Sequence, residues 1–121
     1  MTWTYSQSTG DLKHNGKLIA TGCYSGHGEH KNKPDGEALI GEGPIPRGKW
    51  HITELYNSDR VGPYAIKLVP NGHDAHMRSA FRIHGSSAAH PLDSSNGCII
   101  ARRLVRETVW ESGDRDLEVV R

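Results

Sequence analysis

The chain has few of the covalent staples on which small proteins rely: it holds two cysteines, Cys23 and Cys98, in 121 residues. Their wide separation gives neither a disulfide framework nor a CxxC metal or redox pair. Long apolar runs are missing too. The longest, such as Cys98-Ile99-Ile100-Ala101, stop at about four or five residues, far below the roughly 20 that cross a bilayer as a helix. No membrane span is expected. No basic block exceeds Arg102-Arg103, and 15 Lys+Arg against 14 Asp+Glu leave a formal charge of +1. That balance gives no electrostatic support for a polyanion partner, so no nucleic acid is expected. The opening Met1-Thr2-Trp3-Thr4-Tyr5-Ser6 lacks the charged and apolar regions of a secretory signal peptide. A protein made in the cytoplasm with this start would need another carrier to act outside it.

Turn formers, by contrast, are plentiful: 14 Gly and 6 Pro accompany a 35% hydrophobic content. At this length a single core holds without staples, since folding buries roughly two thirds of the exposed surface, and one domain over residues 1–121 is expected. The pattern is mainly β. Trp3–Ser6 alternates aromatic and hydroxyl residues, and Leu12–His14 faces Lys17–Ala20 across Asn15-Gly16, the dipeptide suited to a type I′ hairpin. Residues 23–43 are polar and glycine-studded and are expected to form one long loop. Lys49–Thr53, Tyr64–Val69, Phe81–His84, Cys98–Ile100 and Asp116–Val120 read as further strands. One helix is expected over Arg102–Ser112, with Leu104, Val105, Thr108 and Val109 on one face and Gly113 as its C′ residue.

Eight histidines invite a metal reading, and His27-Gly28-Glu29-His30 and His73-Asp74-Ala75-His76 both have HxxH spacing. Glycines and Asp74 interrupt any helix there, and the HExxH pattern of zinc proteases is missing. No metal or other cofactor is expected.

The segment Phe81-Arg82-Ile83-His84-Gly85-Ser86-Ser87, followed by Asp93-Ser94-Ser95-Asn96-Gly97-Cys98-Ile99-Ile100, is different in kind. A histidine ends one apolar strand, and a cysteine opens the next directly after Ser-Asn-Gly. A thiol is a weak nucleophile until an imidazole takes its proton. His84 therefore reads as base and Cys98 as nucleophile. Gly97 allows a tight turn, so that the amides of Gly97 and Cys98 can face the oxygen of a tetrahedral intermediate. Ser95 can brace the cysteine turn, and Ser86 or Ser87 can fix the tautomer of His84.

The order His84-Gly85 then Ser95-Asn96-Gly97-Cys98-Ile99 resembles the L,D-transpeptidase catalytic domain family. The resemblance extends to the Asn-Gly hairpin, to Pro46-Arg47-Gly48-Lys49-Trp50-His51-Ile52 and to the stretch from Leu104 to Leu117. Within that family the small size, the opening Trp-Thr-Tyr-Ser, Tyr24-Ser25-Gly26-His27-Gly28 and Gly43-Pro44-Ile45-Pro46-Arg47-Gly48 look like the type VI secretion L,D-transpeptidase effectors. The resemblance implies a small β-sandwich or barrel with one helix before the last strand. It also implies an antibacterial toxin acting on peptidoglycan stem peptides in the periplasm of a target cell, with a secretion carrier and an immunity protein as partners. The implied reaction cuts or exchanges the terminal D-Ala of the stem tetrapeptide.

Two positions depart from the family pattern: Asn96 stands where histidine is usual, and Ile100 where arginine is usual. Asn96 can still hydrogen-bond to hold the turn. Arg82, Arg102 or Arg103 are the candidates to take over recognition of a substrate carboxylate. The resemblance also places Tyr24 and His27 in a loop lining the cleft. A Cys23–Cys98 disulfide would disable the nucleophile. Two other functions compete: a phage-type cysteine amidase, which usually places cysteine ahead of histidine, and a catalytically silent wall-binding module, which would have no use for the dyad.

Overall fold

A computed structural model describes residues 2–86 and 95–121. Nine strands run as β1 (Trp3–Ser6), β2 (Leu12–His14), β3 (Lys17–Ala20), β4 (Tyr24–Ser25), β5 (Gly48–Ser58), β6 (Gly62–Asn71), β7 (Arg82–His84), β8 (Ile99–Ile100) and β9 (Asp116–Val120). The single α-helix among the described residues, α1 (Arg103–Glu111), precedes β9. The strands join in one sheet of order β3-β2-β1-β9-β5-β6-β7-β8-β4. It is antiparallel except where β1 runs beside β9 and β7 beside β8.

Local chemistry accounts for the elements. Asn15 and Gly16 both adopt left-handed conformations, φ 53° and 83°, as a type I′ turn requires. Alternation buries Trp3 and Tyr5 from β1, Trp50 and Ile52 from β5, and Leu117 and Val119 from β9. These join Ile66, Leu68, Ile83 and Ile99 in one core. Gly10, in the β1–β2 connection, lies so close to the Cys23 carbonyl that a Cβ there would overlap it. Cys23 directly precedes β4, at the opposite end of the strand order.

The long loop expected over residues 23–43 is more ordered than its composition suggested. Tyr24–Ser25 pairs antiparallel with β8, and two 3-10 turns follow at Gly28–His30 and Pro34–Gly36. The β5–β6 hairpin is also longer than expected, because Glu54–Ser58 continue the ladder beyond the core. Helix α1 turns a different face inward: Val105, Arg106 and Val109 are buried, while Leu104 is 73% exposed. Arg106 wins its place by donating to the carbonyls of Ala101, Pro63 and Tyr64 at 2.9–3.0 Å. Gly113 takes the left-handed φ of 75° expected past the helix end.

Glu37 ties several of these parts together. Its Oε1 accepts from buried Gln7 Nε2 (2.8 Å) and from the amide (3.1 Å) and Nε (2.9 Å) of Arg47. Its Oε2 lies 3.0 Å from His76 Nε2. Burial alone would raise the carboxyl pKa, but the bonds from Arg47, Gln7 and His76 outweigh it and hold the value at about 2. A depressed carboxyl stabilises the fold fully above its ordinary value of 4.5 and loses that contribution as pH falls toward 2. Glu37→Gln should therefore cost about 1–2 kcal/mol at pH 7, and the gap to wild type should close between pH 4.5 and 2. Urea unfolding across that range checks this; a gap independent of pH would contradict it.

Candidate active site

Strands β7 and β8 run parallel with Ile83 beside Ile99 and His84 beside Ile100. Cys98 directly precedes β8, two positions from Ile100, the residue beside His84. In an ideal ladder such an offset of two residues corresponds to about 8 Å between Cα atoms, within reach of an imidazole and a thiol. Both line one cleft of about 260 Å³, together with Ile40, Arg60, Arg82 and Asn96.

The orientation of His84 follows from a single bond. Its Nδ1–H donates to the Gly85 carbonyl at 2.8 Å, which leaves Nε2 as the acceptor. Burial lowers its pKa from 6.5; the Gly85 bond opposes this and nearby Arg82 and Arg106 add to it. His84 is thus a neutral base at pH 7. Cys98 is 8% exposed, and burial raises its thiol pKa while Arg82 and Arg78 act to lower it. Its Sγ–H points to the Ala80 carbonyl at 3.5 Å. The resting pair is therefore an uncharged thiol and an uncharged imidazole.

The turn before Cys98 is held by hydroxyls. Ser95 Oγ accepts from the amides of Gly26 and Gly97, each at 3.0 Å, and donates to the Cys98 carbonyl at 2.5 Å. Ser25 Oγ donates to the Gly97 carbonyl (3.0 Å) and accepts from the Ile45 amide (2.8 Å). Gly97 has φ 138°, and a Cβ there would run into the Arg78 guanidinium and the Phe81 ring. Glycine is demanded on both counts.

Ser95 thus braces the cysteine turn as expected, while other expectations need correction. The Gly97 amide is engaged by Ser95, so of the two amides expected at the oxyanion only that of Cys98 remains a candidate. Asn96 is exposed and holds the turn through its carbonyl, which accepts from Arg78 Nη2 at 3.1 Å. The tautomer of His84 is set by the Gly85 carbonyl rather than by Ser86, which is exposed; Ser87, Asp93 and Ser94 lie outside the described residues. Tyr24 and His27 do not line the cleft; that segment of chain contributes Ile40 and Gly41 instead. Tyr24 and Arg102 line a separate groove of about 430 Å³ with Gly85, Ser86 and Arg103. Of the arginines considered for a carboxylate, Arg82 alone is in the cleft, where its Nε donates to Tyr56 Oη.

The two cysteines are both free. The β4–β8 register sets Cys23 beside Ala101, three residues from Cys98 and on the opposite face. That is about 10 Å along the strand, too far for a disulfide. Three of the four HxxH histidines make contacts within the fold: His73 Nε2 bonds the Lys49 carbonyl, His76 meets Glu37, and His30 lies 3.7 Å from Glu42. Sequence reasoning missed Arg60, Arg78 and Glu37, none of which sits in a local motif.

Since an uncharged thiol alkylates slowly, iodoacetamide labelling of Cys98 should be slow at pH 7 and still accelerate above pH 8.5, the range of an ordinary thiol. Cys23, 4% exposed and raised by burial, should label later than Cys98. Peptide mass spectrometry over a pH series checks both. A rate already at its plateau at pH 7 would show a preformed thiolate instead.

The sequence profile of the Tlde1 domain matches residues 20–117. Two solved structures share the fold. The L,D-transpeptidase Yku from Stackebrandtia nassauensis is 16% identical with a TM-score of 0.58, over 99% of this chain and 55% of that one. L,D-transpeptidase 1 from Mycobacterium tuberculosis is 19% identical with a TM-score of 0.56, over 99% of this chain and 61% of that one. The chain thus spans little more than half the length of either. No curated protein sequence matches it.

Proposed function

The chain belongs to the Tlde1 domain family, and from that premise we propose that it is a cysteine-dependent enzyme of peptidoglycan stem peptides, delivered as a type VI effector. The observation that carries the reading is the shared cleft, which is lined by both Cys98 and a histidine with Nε2 left as acceptor. Nε2 takes the thiol proton as Sγ attacks the amide carbonyl preceding the terminal D-Ala. The oxyanion receives the Cys98 amide. The imidazolium then gives its proton to the departing amine, and a thioester remains on Cys98. Water resolves it as a carboxypeptidase step, and the amine of a D-amino acid resolves it as an exchange.

The charge of the cleft supports an anionic substrate. Arg60, Arg82 and His84 line it, with no acidic side chain among the described lining residues. Arg60 sits in the turn of the β5–β6 hairpin and is exposed. Together with Arg82 it offers guanidinium forks to the carboxylates of a stem peptide, in place of the family arginine that Ile100 replaces. Action in the periplasm of a target cell, a delivery carrier and an immunity protein complete the proposal, because stem peptides lie outside the cytoplasmic membrane.

Cys98→Ala and His84→Ala should each abolish trimming of purified muropeptides, read by mass spectrometry, while Cys23→Ala stays active. In a Gram-negative host the wild type should be tolerated in the cytoplasm and toxic when a secretory signal exports it. Exported His84→Ala should be harmless at equal expression. Killing by the unexported protein, or continued trimming by Cys98→Ala, would refute the reading. Arg60→Gln should raise KM about fivefold with kcat little changed, as loss of a contact made equally in ground and transition states does.

A further inference from the structure

Arg78 is 8% exposed, and its guanidinium makes no ion pair with a carboxylate among the described residues. Its donors go to main-chain carbonyls: Nη1 to Glu37 (2.6 Å) and Pro44 (2.9 Å), Nη2 to Gly43 (2.9 Å) and Asn96 (3.1 Å). The Phe81 ring covers it at 5.1 Å. Four carbonyl dipoles satisfy the hydrogen bonds of such a cation without cancelling its charge, and a charge with no paired carboxylate in a poorly solvated site attracts any anion formed nearby. The thiol of Cys98 lies two residues beyond the Asn96 carbonyl that Arg78 holds. Burial pushes the pKa of Arg78 down, and the groups that act to hold its proton are Cys98 first and Glu37 second. The Glu37 carboxylate already serves Gln7, Arg47 and His76.

We propose that Arg78 is a positioning residue for the nucleophile, clamping the Asn96-Gly97-Cys98 turn by its carbonyl bonds and lending its charge, which no described carboxylate pairs, to the thiolate formed when Cys98 passes its proton to His84 Nε2. The inference rests on Cys98 being the nucleophile. Three other groups face the cleft around that sulfur: Arg82 and His84 on β7, and Arg60 in the β5–β6 turn. Arg78 differs from them in lying behind the turn, so it stabilises the thiolate without occupying space that substrate needs. The arrangement also explains the glycine of the motif. Any side chain at residue 97 would displace this guanidinium.

The test is the rate of Cys98 alkylation by iodoacetamide at pH 8 in a Cys23→Ala background, with circular dichroism as the check on folding. Arg78→Gln keeps hydrogen-bond donors but not the charge, and should slow alkylation about tenfold; Arg78→Lys keeps the charge and should slow it less than about threefold. Peptide trimming should fall in both, since neither side chain spans four carbonyls. Equal alkylation rates in the folded Gln and Lys variants would overturn the proposal. Should Arg78→Gln fail to fold, Glu37→Gln carries the test from the other side. Removing that carboxylate leaves Arg78 less compensated and should speed Cys98 alkylation about twofold; an unchanged or slower rate would overturn the proposal. Alkylation needs no substrate, so these outcomes stay separate from the assignment of function, which fails only if Cys98→Ala continues to trim muropeptides.

Discussion

The parallel ladder between β7 and β8, which sets His84 beside Ile100, is the constraint on which the rest of the structure turns. These strands are three and two residues long, too short to hold a register by their own hydrogen bonds. Neighbours hold it for them. The β6 strand flanks β7 on one side, β4 flanks β8 on the other, and Ile83 and Ile99 are each 1% exposed in the core. A slip of either strand by one residue would turn its isoleucine out of the core and shift the base relative to the thiol. Core packing and catalytic geometry are therefore one requirement.

Around that ladder the chain uses buried polar side chains where a larger protein would use further strands. Ser25 and Ser95 satisfy amides and carbonyls of the cysteine turn, Arg106 gathers three carbonyls beneath α1, and Glu37 collects donors from three segments. Irregular backbone near a core must have its polar groups met. Here single side chains meet several at once, which fixes loops that lack regular structure. The cost falls on conformational freedom. Ala75, His76 and Met77 all adopt positive φ between 51° and 63°, held by Asp74 and His73 bonds to their amides. That left-handed turn delivers Arg78 to its place.

What was legible in the sequence was whatever rests on near neighbours. The Asn15-Gly16 hairpin, β1 and β9 follow from alternation and turn chemistry, and His84 and Cys98 stand out because each ends or opens an apolar strand beside a glycine. The mainly β fold with one helix before the last strand was expected, and it is found. Elements whose reasons lie elsewhere in the chain were not legible. Tyr24–Ser25 is a strand only because β8 pairs with it. Arg106 displaces Leu104 from the buried face because carbonyls of residues 63, 64 and 101 wait for it. Glu37 and Arg78 form no pattern with their immediate neighbours, and their partners lie as far as 41 positions away. That Ile40 and Gly41 line the cleft in place of Tyr24 and His27 was hidden for the same reason, since which part of a loop bends over a cleft depends on what anchors it.

The strand order has a bearing on how the molecule comes into being. Strand β9, the last in the chain, lies between β1 and β5 and pairs with both. Trp3 thus waits for Leu117 before its strand is closed on both sides. Pairings between such distant residues form late and slowly, because the loop they close is long. Until β9 pairs, β1 and β5 each keep an open edge of unpaired amides and carbonyls, so the strand between them closes two edges at once.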